Sequence, residues 1–542
     1  MSMTCGEATV RLLAQYGVTT VFGIPGVHTL DMCRGLVGGA NSGAIRHIQT
    51  RNEQGAGYMA EGWSRATGSV GVAMVISGPG VTNISTALGQ CYADSLPFLL
   101  ISAEQPTSSI GKGWGVLHEI TEQKRVTEPL CAFSETARSP SDVPELIARA
   151  FTIFASQRPR PCHISIPVDV QAQIVDEVWQ AVPLPGKRFT DPALIKKAAA
   201  SLRMANRPLM IVGGGARLAS EAITALAEFL RMPVISTSAG KGIVSDDLPY
   251  SLSGGLCRPE VHDLVQKADL VLAIGTELSE TDTFVAELPI PGEIIRVDID
   301  PSKITDKYLS DVGICGDAEM TAITLLEALK EMGPVNYEQD DCIQVLRSRI
   351  RQNLTPMEQR HVRLLELMKQ HAPVDTIWSG DACQLVYTGI FAMAANQPNT
   401  WFYPSGFCSL GVALPNAIGA KMAYPERPVA ALVGDGGFMF TMPEMLTAAQ
   451  ANLGIPIILW DNQCLKQIAD DMDLLDIQRI GVDPLNPDFV ALAKACHCDG
   501  VLVKSSQEFC NAFASAFDKT CPTLIVVNED EPWLAELSDD KR

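Results

Sequence analysis

Two apolar runs, Val429-Ala430-Ala431-Leu432-Val433 and Ile455-Pro456-Ile457-Ile458-Leu459-Trp460, each end abruptly in a polar cluster. The clusters are Gly434-Asp435-Gly436-Gly437 and Asp461-Asn462-Gln463-Cys464. A helix-forming stretch, Pro443 to Ala451, separates them. Strand, helix and strand in such close succession predict a βαβ crossover, with both clusters at the C-terminal ends of parallel strands. Asn462 follows Asp435 by 27 residues, so the crossover brings their side chains together. A carboxylate, a carboxamide oxygen and a backbone carbonyl make a hard oxygen site suited to Mg²⁺. The glycines let backbone N–H groups approach an anion at a helix start. Such a set can hold a diphosphate through a metal ion. The plain alternative is a tight strand–helix turn with Asp435 as its N-cap.

The rest of the chain alternates strands and helices in the same way, which predicts an α/β fold of three doubly wound parallel-sheet domains. Their expected bounds are 1–180, 190–340 and 360–542. A polar, Pro-containing stretch from Pro183 to Pro192 reads as one linker, and the charged stretch after Pro334 as the other. The first and third blocks have similar layouts. At 542 residues, with 46% hydrophobic and 19% charged residues, the chain can build several sizeable cores. A net charge of −20 argues against nucleic acid and anionic membranes as partners. No signal peptide and no apolar run of about 18 residues is visible. Fifteen cysteines then read as reduced thiols, and a cytoplasmic location is expected. Cys496-His497-Cys498 lacks a second ligand pair, so packing is expected there rather than zinc.

The two polar clusters resemble the GDG…NN motif of thiamin diphosphate (ThDP) enzymes. The resemblance implies cofactor-binding roles for Gly434, Asp435, Gly436, Gly437 and Asn462, with Mg²⁺ held by Asp435, Asn462 and the carbonyl of Cys464. Asp461 departs from the first Asn of the pair. The segment from Thr50 to Arg65, TRNEQGAGYMAEGWSR, resembles the family's HEQGAxxMAxGYAR segment. By that match Glu53 hydrogen-bonds N1′ of the aminopyrimidine and promotes loss of the thiazolium C2 proton.

The three-block order resembles the acetolactate synthase-like branch of that family: pyrimidine-binding, central and diphosphate-binding domains. Ser77-Gly78-Pro79-Gly80-Val81-Thr82-Asn83, Asp94-Ser95-Leu96-Pro97 and Ser405-Gly406-Phe407-Cys408-Ser409-Leu410-Gly411 match further segments. The last implies that Leu410 wedges beneath the cofactor and bends it, so that the two rings approach each other. Asp381 and Cys383 follow the strand-like Asp375-Thr376-Ile377-Trp378 and are further cofactor candidates. For Asp381, contact with the substrate tail, orientation of the diphosphate and a helix cap all stay open. Gly213-Gly214-Gly215 lacks the complete dinucleotide spacing. Thr276-Glu277-Leu278-Ser279-Glu280 stands where FAD-bearing members have an Arg-Phe-Asp-Asp type segment, so FAD is not expected.

Phe22-Gly23-Ile24-Pro25-Gly26-Val27-His28-Thr29-Leu30 and Gly115-Val116-Leu117-His118-Glu119 resemble the 5-guanidino-2-oxopentanoate decarboxylase subgroup. His118 is then the candidate to donate or relay a proton after CO₂ leaves, and His28 is a weaker candidate. Gln467 stands where the subgroup tends to have an acidic residue, which weakens the case for a guanidinium substrate and leaves another 2-oxo acid, or transfer of the intermediate to a second acceptor, open. The expected activity is decarboxylation of a 2-oxo acid to an aldehyde. A carboligase that joins the fragment to a second carbonyl is the alternative. A cofactor-free scaffold is the reading from another class. The resemblance also implies a homodimer or homotetramer with sites between subunits.

Overall fold

The computed structural model describes residues 3–37, 45–335, 337 and 342–535. Three six-stranded sheets, each parallel throughout, carry helices between their strands. Strands buried on both faces need continuous apolar runs. Gly71–Val75, Leu270–Ile274 and Val429–Gly434 are buried at every position. The three doubly wound α/β units expected from the sequence are therefore present. Part of the charged stretch after Pro334, read as a linker, lies outside the described residues.

The first and third sheets share one strand order. In the first, the spatial sequence is Arg46–Gln49, Thr20–Gly23, Gly71–Val75, Phe98–Glu104, Cys162–Pro167, Phe133–Thr136. In the third it is Trp401–Phe402, Ile377–Gly380, Val429–Gly434, Pro456–Asp461, Thr523–Asn528, Asp499–Leu502. In both, the chain winds outward in opposite directions from the gap between the second and third of these strands. Ligands of open α/β sheets bind at such a switch point, beyond the strands' C-terminal ends. The first sheet's switch point receives the segments after Gly23 and Val75. The third sheet's receives those after Gly380 and Gly434. The central sheet has a different order, with Pro208–Val212 and Leu270–Ile274 in the middle.

The crossover between the two polar clusters differs in detail from its expected form. The helix begins directly at Asp435, as Asp435–Thr441, and a second helix, Glu444–Gln450, follows. Met442 and Pro443 separate them, because proline's ring and missing N–H favour a helix start over a helix interior.

The outer units meet through two helices, Glu53–Thr67 and Ala413–Ala423. A Cβ on Gly62 would lie 2.1 Å from the Asn416 carbonyl oxygen, and one on Gly419 would lie 1.9 Å from that of Met59. Only glycine allows this backbone contact. Beside it, buried Glu61 accepts from Arg65 Nε at 2.8 Å, and Arg65 also pairs with Asp94.

The central unit is pinned by Lys241, whose side chain is 2% exposed. Its Nζ donates to the carbonyls of Ile390 and Met393, both at 2.7 Å, where the helix Gln384–Ala392 ends. Burial pushes the amine down to about 8. Lys241→Ala removes this charged donor and leaves the two buried carbonyls without it. It should destabilise the protein by about 1.5–3 kcal/mol, the scale of a hydrogen bond to a charged group. Urea unfolding monitored by circular dichroism measures this, and a loss below 1 kcal/mol would contradict the pin.

Candidate active site

The diphosphate candidate is built where the third sheet's strands end. Asp435 is the first residue of its helix and is 2% exposed. Burial raises its carboxyl above the usual range. Asp461, at the end of the next strand, is raised by burial and by the neighbouring Asp435 charge. One amide joins them: Asn486 Nδ2 donates to Asp435 Oδ2 at 2.7 Å and to Asp461 Oδ1 at 3.1 Å. Two carboxylates converging in partial burial repel each other, and a divalent cation relieves that repulsion. The donor set is all hard oxygen, so the site fits Mg²⁺. Asn462 faces differently from Asp461. Its Oδ1 accepts from Cys464 N–H at 3.2 Å, and its side chain also hydrogen-bonds Glu529. Cys464 is buried, next to Gln463 in left-handed backbone.

The glycines around Asp435 shape a cradle. A Cβ on Gly434 would lie 3.0 Å from Cys383 Cβ, one on Gly436 2.7 Å from Leu465 Cδ2, and one on Gly437 3.1 Å from Asp381 Oδ2. Cys383 is the N-cap of Gln384–Ala392, and burial pushes its thiol up to about 12. Asp381 is fully buried, and its two oxygens accept from Gly411 N–H at 3.0 and 2.9 Å. It therefore fixes the turn after Leu410, which is itself half-buried. The hydrogen bonds of the Asp381 carboxylate are all to backbone N–H groups, including those of Ala382 and Gly411.

Burial raises Asp381 to about 7, above its ordinary value near 3.9. A carboxyl raised by folding binds more protons in the folded state between those values, so stability falls as pH rises through that window. Asp381→Asn has no charge to bury. Thermal melts from pH 4 to pH 7 should show a shallower decline for the variant, and parallel curves would remove Asp381 as the cause.

A second group of candidates gathers at the first sheet's switch point. Glu53 opens its helix behind the N-cap Asn52, is 8% exposed and accepts from Asn83 Nδ2 at 2.9 Å. His28 Nδ1 and Ser77 Oγ are 2.6 Å apart. The His28 and His118 rings meet edge to face at 5.5 Å. Burial and His118 both lower the His28 imidazole. His118 has left-handed backbone, φ 62°, and its Nδ1 is buried without a partner. Gly78 makes room for it: a Cβ there would lie 2.5 Å from the His118 carbonyl oxygen.

Sequence reasoning passed over three residues. Asn83 lies inside the Ser77–Asn83 segment, whose sequence gives no hint that its side chain holds Glu53. Glu444 accepts from the backbone N–H groups of Arg51 and Asn52 at 3.1 Å and so anchors the approach to Glu53 from the third unit. Asn486, whose amide joins Asp435 to Asp461, sits in Asn486-Pro487-Asp488, a turn-forming run that marks a loop without revealing its target. Gln467 is exposed and borders a cavity of about 350 Å³ with Gln384, Tyr387, Lys466, Asp470 and, from the central unit, Arg258. Cys496 and Cys498 are buried in the core.

No hydrogen bond or ion pair among the described residues links the Glu53–His28–His118 group to Asp435, Asp461 or Asn462 within the chain. No helix among those residues is long and apolar enough to cross a membrane.

Residues 3–126, 195–329 and 382–527 match the N-terminal TPP binding, central and C-terminal TPP binding domains of the thiamine pyrophosphate enzymes. The chain is 45% identical to the probable 2-ketoarginine decarboxylase AruI of Pseudomonas aeruginosa, across 97% of this chain and 94% of that protein. It is 30% identical to the acetolactate synthase isozyme 3 large subunit of Escherichia coli, across 96% and 93%. It is 31% identical to the probable acetolactate synthase large subunit of Methanocaldococcus jannaschii, across 91% and 86%.

Proposed function

Because the chain belongs to the thiamine pyrophosphate enzymes, we propose that it catalyses the Mg²⁺-dependent, non-oxidative decarboxylation of a 2-oxo acid, with 5-guanidino-2-oxopentanoate as the leading substrate. ThDP, when bound, supplies the nucleophilic carbon and the electron sink for CO₂ loss. The chain's residues bind it, orient it and move protons. Asp435, Asn462 and the Cys464 carbonyl hold the metal, with Asp461 close enough to add a second carboxylate. The Gly434–Gly437 backbone cradles the diphosphate beside Cys383 and Asp381. Leu410, on the turn fixed by Asp381, supports the bend between the rings. Glu53 takes the hydrogen bond to the aminopyrimidine, and Asn83 holds its other oxygen.

The observation that carries decarboxylation is the Ser77–His28–His118 set at the switch point on the Glu53 side. Two imidazoles in contact, with one ring nitrogen unpartnered, suit delivery of a proton to the carbon that has lost CO₂. The name of the 45% identical relative supports the same chemistry and the guanidino substrate. The FAD-free reading stands on Thr276–Glu280, and a cytoplasmic location on the cysteine content.

The active assembly is at least a homodimer, with the Glu53 side of one subunit facing the Asp435 side of another. Exposed apolar side chains flank both halves. Val27, Leu30, Trp114 and Leu117 lie near the histidines in sequence, and Met439, Phe440, Ile468 and Leu474 near the metal candidates. A second chain docked over both halves would take this exposed apolar area out of water.

Purified protein with ThDP and Mg²⁺ should convert 5-guanidino-2-oxopentanoate to 4-guanidinobutanal and CO₂, identified by mass spectrometry. Acetolactate from pyruvate, with no aldehyde from either acid, would establish the carboligase instead. No product from either acid in verified holoenzyme would defeat both assignments.

A further inference from the structure

The segment between Glu104 and Gln123 has neither helix nor strand, yet it carries His118. Backbone N–H groups outside regular structure need other partners. Here four consecutive ones converge on one side chain. Gly113 N–H donates to Glu119 Oε1 at 2.9 Å and Trp114 N–H at 3.3 Å. Gly115 N–H donates to Oε2 at 2.6 Å and Val116 N–H at 3.2 Å. Three glycines make this turn possible. Gly111, Gly113 and Gly115 have φ of 73°, 67° and 73°. Left-handed residues aim successive N–H groups inward, forming a concavity that takes an anion. The anion in this concavity is the chain's own Glu119, which forms no ion pair with a Lys or Arg among the described residues.

We infer that Glu119 is a positioning residue: its carboxylate winds the 113–116 backbone around itself and thereby holds the adjacent His118 in left-handed conformation against His28. The other side of the histidine is held separately. Gly78, which leaves space for His118, donates its N–H to Gln123 Oε1 at 2.8 Å, and Gln123 Nε2 donates to the Ala103 carbonyl at 2.8 Å. The loop is thus fixed by Glu119 on one flank and by Gln123 on the other. His118 has no hydrogen bond of its own at Nδ1 to keep it there. This inference rests on the proton-donating role given to His118, but the clasp itself does not.

Hydrogen–deuterium exchange of the holoenzyme tests the clasp. The amides of residues 113–116 should be protected in the parent protein and exchange at least about tenfold faster in Glu119→Ala. Glu119→Gln, which keeps one accepting oxygen, should fall between them. Unchanged protection in Glu119→Ala would overturn the clasp. Kinetics test the positioning. Glu119→Ala should lower kcat by about 10–100-fold, the scale of a misplaced catalytic group. KM and the exchange of the cofactor's C2 proton should stay near parent values, the pH profile of kcat should move, and Glu119→Asp should recover part of the loss. A loosened loop with unchanged kcat and pH profile would overturn the positioning role. Full activity in His118→Ala would instead defeat the proton-donor reading, whatever the exchange data show.

Discussion

Glu53→Gln is expected to fold, to bind ThDP and to be almost inactive. The amide fills the same space beside Asn83, and the helix Glu53–Thr67 keeps its N-cap and its glycine contact with Ala413–Ala423. What it loses is a group that can share a proton with the aminopyrimidine. A positioned acid or base contributes about 10²–10⁴-fold, and the exchange rate of the cofactor's C2 proton should fall by that amount. Acid quench followed by NMR reads this rate directly and separates activation from later steps. Near-parent exchange would remove Glu53 from its assigned role even if turnover were impaired.

Asp435→Ala should uncouple metal and cofactor from the protein together. It deletes a charged ligand, a larger change than loss of an outer partner, which typically costs about 10–100-fold in affinity. It also frees Asn486 from half of its bridge, leaving Asp461 as the remaining carboxylate. Mn²⁺ binding followed by electron paramagnetic resonance, and ThDP binding followed by calorimetry, should weaken in parallel. Unchanged affinity for either would defeat the metal-bridged diphosphate. The same variant tests the assembly. Refolded mixtures of inactive Glu53→Gln and inactive Asp435→Ala should recover activity if the two halves of a site come from different subunits. Verified mixed dimers without activity would place both halves in one chain.

Much of this molecule was legible before its structure, for a local reason. Strand-forming runs and helix starts are written in neighbouring residues, so the α/β class, three units and the placement of Glu53 and Asp435 at helix starts followed from short segments. The end of the strand before Asp381 and the split of the crossover into Asp435–Thr441 and Glu444–Gln450 fell outside that reading, because element boundaries depend on packing as well as propensity.

From the sequence alone, the resemblance of Gly434-Asp435-Gly436 with Asn462, and of the Thr50–Arg65 segment, to thiamin diphosphate enzymes pointed to the cofactor family, while a βαβ crossover and a helix start fix where such residues emerge. Tertiary structure alone decided which polar groups meet. It joined Asp435 and Asp461 through Asn486, set Glu444 against the backbone before Glu53, and gave the first and third sheets one winding order. It also buried Asp381 against Gly411 and wrapped four backbone N–H groups around Glu119. Apart from the local turn around Glu119, these pairings arise when distant segments are packed side by side and their buried polar groups must find partners. Sequence spacing constrains geometry within a crossover, but it carries no record of a hydrogen bond that closes across separate loops.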